Sequence, residues 1–73
     1  MENIKQKVGE RIKYLRNKEN VSQEELANRA GMARGFISGV ETGKRNITVE
    51  TLGKILDVLK ISYNTFFKHE SFN

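Results

Sequence analysis

The sequence predicts an all-α domain, and three observations carry that prediction. Apolar residues recur at steps of three and four rather than two. Asn, Ser or Thr stands repeatedly just ahead of such a stripe, where a helix N-cap belongs. No alternating apolar stretch of useful length suggests a strand. Five helices are expected, with no linker or repeat between them. A chain of 73 residues supports one domain, near the lower limit for folding on a single core.

The elements follow in order. Asn3, with Gln6 three residues later, reads as a capping box opening the first helix. Ile4, Val8, Ile12 and Leu15 form its core-facing stripe to about Lys18, and Glu19-Asn20 end it. Ser22 with Glu25 is a second capping box. It opens a helix whose apolar positions are Leu26, Ala27 and Ala30, stopped by a turn at Gly31. The third helix, from about Ala33 to Thr42, packs through Ile37 and Val40 and ends at Gly43, a natural left-handed cap. Ala33 lacks a capping oxygen, which costs roughly 1 kcal/mol.

Lys44-Arg45-Asn46-Ile47 forms a basic loop. Thr48 caps the fourth helix, in which Val49, Leu52, Ile55, Leu56 and Leu59 should face inward. Ser62 caps a short last helix bearing Tyr63, Phe66 and Phe67, and Lys68 to Asn73 are expected to fray. Gly9, Gly35, Gly39 and Gly53 sit inside helices, each costing about 1 kcal/mol relative to Ala. Gly9 and Gly53 suit close helix contact.

Composition excludes several classes of function. With no Cys and one His, His69 in the terminal segment, neither a disulfide framework nor a metal site can be assembled. No Gly-rich phosphate loop or catalytic constellation is present, so the chain does not read as an enzyme and implies no cofactor. No apolar run approaches the roughly 18 residues of a membrane span, nor does the start resemble a signal peptide. A cytoplasmic location is expected.

The net charge of +4 is unevenly spread. Lys5, Lys7, Arg11, Lys13, Arg16 and Lys18 crowd the first helix against Glu2 and Glu10. Arg29, Arg34, Lys44 and Arg45 crowd residues 29–45 against Glu41. This is what a phosphate-facing surface needs, although lysines also simply solvate helix faces.

Residues 22–43, two short helices joined at a glycine, form a helix-turn-helix unit, whose second helix lies in the DNA major groove. With Ile37 and Val40 inward, Arg34, Gly35, Ser38 and Gly39 face outward. Arg34, in the first turn, can contact guanine N7 and O6 bidentately, with phosphate as the competing target. Ser38 suits a base or a phosphate. Gly35 and Gly39 would let the helix approach the groove floor closely. Phe36 can touch a thymine methyl, pack on the DNA backbone, or bury itself against the second helix. Gln23, at a helix N-terminus, suits a phosphate. Lys44, Arg45 and Asn46 should face the flanking backbone, positioning the protein rather than reading sequence. So thin a direct readout leaves much of the specificity to DNA shape.

Three stretches carry a family resemblance over nearly the full length: Arg11-Ile12-Lys13-Tyr14-Leu15-Arg16, Ser22-Gln23-Glu24-Glu25-Leu26-Ala27, and Phe36-Ile37-Ser38-Gly39-Val40-Glu41-Thr42-Gly43-Lys44-Arg45-Asn46. In order and spacing they resemble the Xre/Cro-type, lambda-repressor-like helix-turn-helix family. Arg34 before Phe36-Ile37-Ser38-Gly39-Val40-Glu41, then Arg45-Asn46-Ile47-Thr48 and Phe66-Phe67, make the chain most similar to controller proteins of restriction–modification systems. It departs from the family at Gly35 and Phe36, where hydroxyls are common, at Ala33, a usual capping position, and at Ile47, a frequent Pro.

The resemblance implies a buried ion pair between Arg16 and Glu41, the phosphate role of Gln23, and action on the protein's own promoter to time endonuclease expression. A two-fold dimer through Ile61, Tyr63, Phe66 or Phe67 would match a palindromic operator on double-stranded DNA, one ring filling the core and the other the interface. Activation would require a surface for RNA polymerase, for which Glu24 is the candidate. A prophage or plasmid repressor is the same-class alternative. An antitoxin or antirepressor module that binds protein instead of DNA is the alternative of another class.

Overall fold

Local capping chemistry sets the helix starts in the computed structural model, which describes residues 3–72. Asn3 Oδ1 accepts from the Lys5 and Gln6 amides at the head of α1 (Ile4–Lys18). Ser22 Oγ accepts from Glu25 N at α2 (Gln23–Ala30), Thr48 Oγ1 from Thr51 N at α4 (Val49–Leu59), and Ser62 Oγ from Thr65 N at α5 (Tyr63–Phe67). Each satisfies an amide that the first helical turn leaves unpaired. α3 (Arg34–Glu41) starts at Ala33 with no side-chain cap. Gly31 closes α2 at φ 71°, in the left-handed region where a Cβ is strained. Lys60 adopts φ 57° without being glycine.

The five helices wrap one core, with α1 packed on α3, and α2 packed on α3 and α4. Val8, Ile12, Leu15, Leu26, Ile37, Val40, Leu52, Ile55, Leu56, Leu59 and Phe66 fill it. Two stripe residues do not join: Ile4 is 58% exposed and Val49 73%. Both are the first residue of their helix, a turn beyond where the partner helices end. At Val49 the backbone is used instead, its carbonyl accepting from the Tyr63 hydroxyl at 2.9 Å. That same hydroxyl lies against Gly53.

The terminal segment is more ordered than its sequence suggests. Glu70–Phe72 forms a 3-10 turn, and Phe72 returns to the core, its ring 5.9 Å from Phe66 and 5.1 Å from Phe67. The fraying expected from Lys68 onward is therefore wrong through Phe72, because the third ring completes an aromatic cluster; Asn73 lies outside the described residues.

Gly9 holds α1 against the end of α3. A Cβ there would collide with the Val40 carbonyl oxygen and stand 3.1 Å from Glu41 Cα. Backbone atoms cannot swing aside as a side-chain tip can. Gly9→Ala should therefore cost about 2 kcal/mol net, the overpacking penalty exceeding alanine's helix preference. For a domain this small that means a melting temperature lower by roughly 10 °C. A thermal melt that is unchanged or raised would contradict the close contact.

Candidate nucleic-acid interface

The turn between α2 and α3 is fixed from both sides. Met32 N donates to Ala27 O at 2.8 Å and Gly31 N to Asn28 O at 3.3 Å, while Leu26, Ala27, Ile37 and Val40 are buried between the helices. With Ile37, Val40 and Glu41 inward, Arg34 and Gly35 are fully outward, and Phe36, Ser38 and Gly39 lie half-buried along the margins. Gly35 has open space where a Cβ would stand, so backbone is the surface there. Arg34 makes no side-chain bond within the fold and leaves its five donors to solvent or a ligand.

Behind this face lies a buried ion pair. Arg16 Nε donates to Glu41 Oε2 at 2.7 Å and Arg16 Nη2 to Glu41 Oε1 at 3.0 Å, a two-pronged contact between α1 and α3. Arg16 Nη1 donates to Val21 O at 2.7 Å, holding the α1–α2 connection. Gln23 Nε2 donates to Glu41 Oε1 at 3.0 Å. The sequence placed Gln23 at a phosphate. The structure commits its amide nitrogen to the ion pair, because Glu41 sits within reach of the start of α2.

These contacts change the charge balance of the face. Glu41, the acid counted against the basic run, is buried and neutralised by Arg16. Arg29 is paired with Glu25 at 2.6 Å, one turn away on α2. Arg34, Lys44 and Arg45 remain as exposed cations around α3. The first helix supplies less than its count implied: besides buried Arg16, Arg11 donates to Phe66 O at 2.9 Å and Thr65 O at 3.1 Å, binding the carbonyl end of α5.

The basic loop begins by folding back on α3. Lys44 N and Arg45 N both donate to Gly39 O, at 2.9 and 3.1 Å. The Arg45 guanidinium reaches the Phe36 ring, 5.7 Å from its centroid, and Phe36 itself packs against the core. Gly39 is therefore not an open notch toward a groove floor; the Arg45 stem lies across it. Nothing local in the sequence signalled that contact, since it joins a loop residue to a helix face through a chain reversal. Asn46 is exposed beside them.

Of the four residues offered for a subunit interface, Phe66 is fully buried within the monomer, edge-on to Phe67 at 4.9 Å, and so is withdrawn from that set. Tyr63 at 44% and Phe67 at 39% remain exposed, with Ile61 half-buried. Among the described residues no group of His, Asp and Glu can hold a metal ion, and no helix is long and apolar enough to cross a membrane.

Comparison with known proteins agrees with this architecture. The HTH-type transcriptional regulator SinR of Bacillus subtilis is 36% identical over 67 residues, covering 88% of this chain and 60% of that protein. Control protein C.SmaI of Serratia marcescens is 43% identical over 49 residues, 67% of this chain and 58% of that one. The chain thus spans about three fifths of the length of these two relatives. The structure of the restriction–modification controller protein C.Esp1396I, a tetramer in complex with its natural 35-base-pair operator, superposes with a TM-score of 0.85 at 34% identity, covering 93% of this chain and 90% of that one. Residues 12–66 match the model of the helix-turn-helix family HTH_3, and the chain belongs to that Xre-like family.

Proposed function

We propose that this protein is a sequence-specific DNA-binding transcription regulator, a dimeric controller of restriction–modification genes acting at its own promoter. The carrying observation is the outward face of α3: cleared of acid by the Arg16–Glu41 pair, it presents Arg34 at its start and Arg45 across its middle. A helix so equipped fits a major groove, with guanidinium groups able to fork onto guanine edges. The operator-bound C.Esp1396I tetramer supports the reading by fold and identity. A protein-binding antitoxin module would have no use for Arg34, Lys44 and Arg45 gathered around one helix. SinR among the relatives keeps a repressor of another gene set as the second reading. An activating role would use Glu24, exposed on α2, toward RNA polymerase.

Footprinting on DNA upstream of the protein's own gene tests the assignment. Protection of two half-sites about one helical turn apart is expected. No protection there, with protection elsewhere, would favour the repressor of other genes.

Dimerisation is assigned to Phe67 and Tyr63, the rings left exposed beside the buried Phe66. Phe67→Glu should convert the protein to a monomer in sedimentation without unfolding it, and weaken operator binding at least about tenfold through lost bivalency. A wild-type protein that stays monomeric at every concentration would contradict the assignment.

A further inference from the structure

The outward ridge of α3 is bare where a recognition helix ordinarily carries side chains, at Gly35 and Gly39. The Gly39 gap is filled from outside the helix. A Cβ on Gly39 would stand 2.6 Å from Arg45 Cγ, 3.5 Å from its Cβ and 3.6 Å from its Cδ, so three successive carbons of the arginine stem run across the glycine. The two amide bonds to Gly39 O anchor the backbone at that point. The guanidinium ends 5.7 Å from the Phe36 ring, three residues nearer the start of α3 and within the reach of a cation–π contact. A loop residue is thereby carried back along the recognition helix, while its head group stays exposed.

Resting on the proposed DNA-binding function, we infer that Gly39 and Phe36 are positioning residues that seat Arg45 on the outward face of α3 as a reader of base edges. The loop sequence alone suggested only backbone contact. The seat supplies what base reading needs: a planar fork held in one place before DNA arrives, with less side-chain freedom to lose on binding. It also gives the bare ridge a purpose. Any side chain at position 39 would displace the arginine that reads in its stead.

Gly39→Ala isolates the seat. The new methyl pushes the Arg45 stem away, keeps its charge, and favours the helix, so the melting temperature should hold or rise. On a duplex selected from random DNA by the wild-type protein, G39A should bind about tenfold more weakly, the size of one lost base contact. On scrambled duplex the loss should stay within about twofold, because phosphate attraction is retained. Arg45→Ala should lose the same base preference at the same position of the site, and G39A/R45A should bind the selected duplex no more weakly than R45A alone.

Wild-type affinity in G39A alongside weakened R45A would overturn the seat. A loss in R45A that is uniform over all sequences would overturn base reading and make Arg45 a phosphate contact. Absence of any sequence preference in the wild-type protein would instead remove the functional reading beneath it.

Discussion

Replacing Glu41 by alanine is expected to lower the melting temperature by more than about 12 °C, the largest stability loss for a single side chain here. Glu41 is 5% exposed and accepts from Arg16 twice and from Gln23 once. Its removal strands the Arg16 guanidinium, 7% exposed, with Val21 O as its remaining acceptor. Breaking a buried pair in this way costs about 3–5 kcal/mol, chiefly through the uncompensated charge and not the worth of the pair itself. In so small a domain, each kcal/mol shifts the melting temperature by roughly 4–8 °C. Glu41→Gln keeps the shape but not the charge and should fall between the two. The pair ties α1, the start of α2 and the end of α3 together, so E41A should also loosen the turn that aims α3. Circular dichroism melts measure the first effect, and a melting temperature equal to wild type would show that the pair is dispensable.

Arg34→Ala should have the largest effect on DNA recognition. Arg34 stands in the first turn of α3, exposed and without an internal partner. A bidentate contact to guanine is worth about 1–3 kcal/mol of discrimination. A dimer makes it twice, so about tenfold per half-site compounds to about a hundredfold on a palindrome. Arg34→Lys separates the two targets. At a phosphate lysine serves nearly as well, whereas at a guanine edge it loses the fork. Fluorescence anisotropy with the selected duplex should therefore show R34K close to R34A. An R34K variant binding like wild type would assign Arg34 to the backbone instead.

The helix starts were legible because capping is local chemistry. Asn3, Ser22, Thr48 and Ser62 each act within three residues of where they stand, and Ala33 is the uncapped start its side chain implies. Gly31 was legible for the same reason, since its left-handed backbone is a property of one residue. The inward stripes were readable in direction but not in extent. Ile4 and Val49 fit the helical period, yet period says nothing about where a neighbouring helix ends.

What escaped the sequence is what the fold joins at a distance. Arg11 looks like another basic surface residue until α5 places its carbonyls beside it. Gln23 looks like a phosphate ligand until Glu41 arrives from α3, eighteen residues away. Phe72 looks like part of a loose tail until Phe66 and Phe67 offer it a face. Arg45 crossing Gly39 belongs to the same class. The first three take groups away from a surface the charge count had enlarged; the last adds one to it.

The central claim is that α3 and its borrowed arginine read DNA sequence. The most direct test is a binding titration of the wild-type protein against a panel of genomic fragments, including DNA upstream of its own gene, at two salt concentrations. One palindromic fragment should bind at least about a thousandfold more tightly than the rest, with affinity falling steeply as salt rises. Equally weak binding to every fragment at both salts would contradict the claim and make the face around α3 a surface for a protein partner.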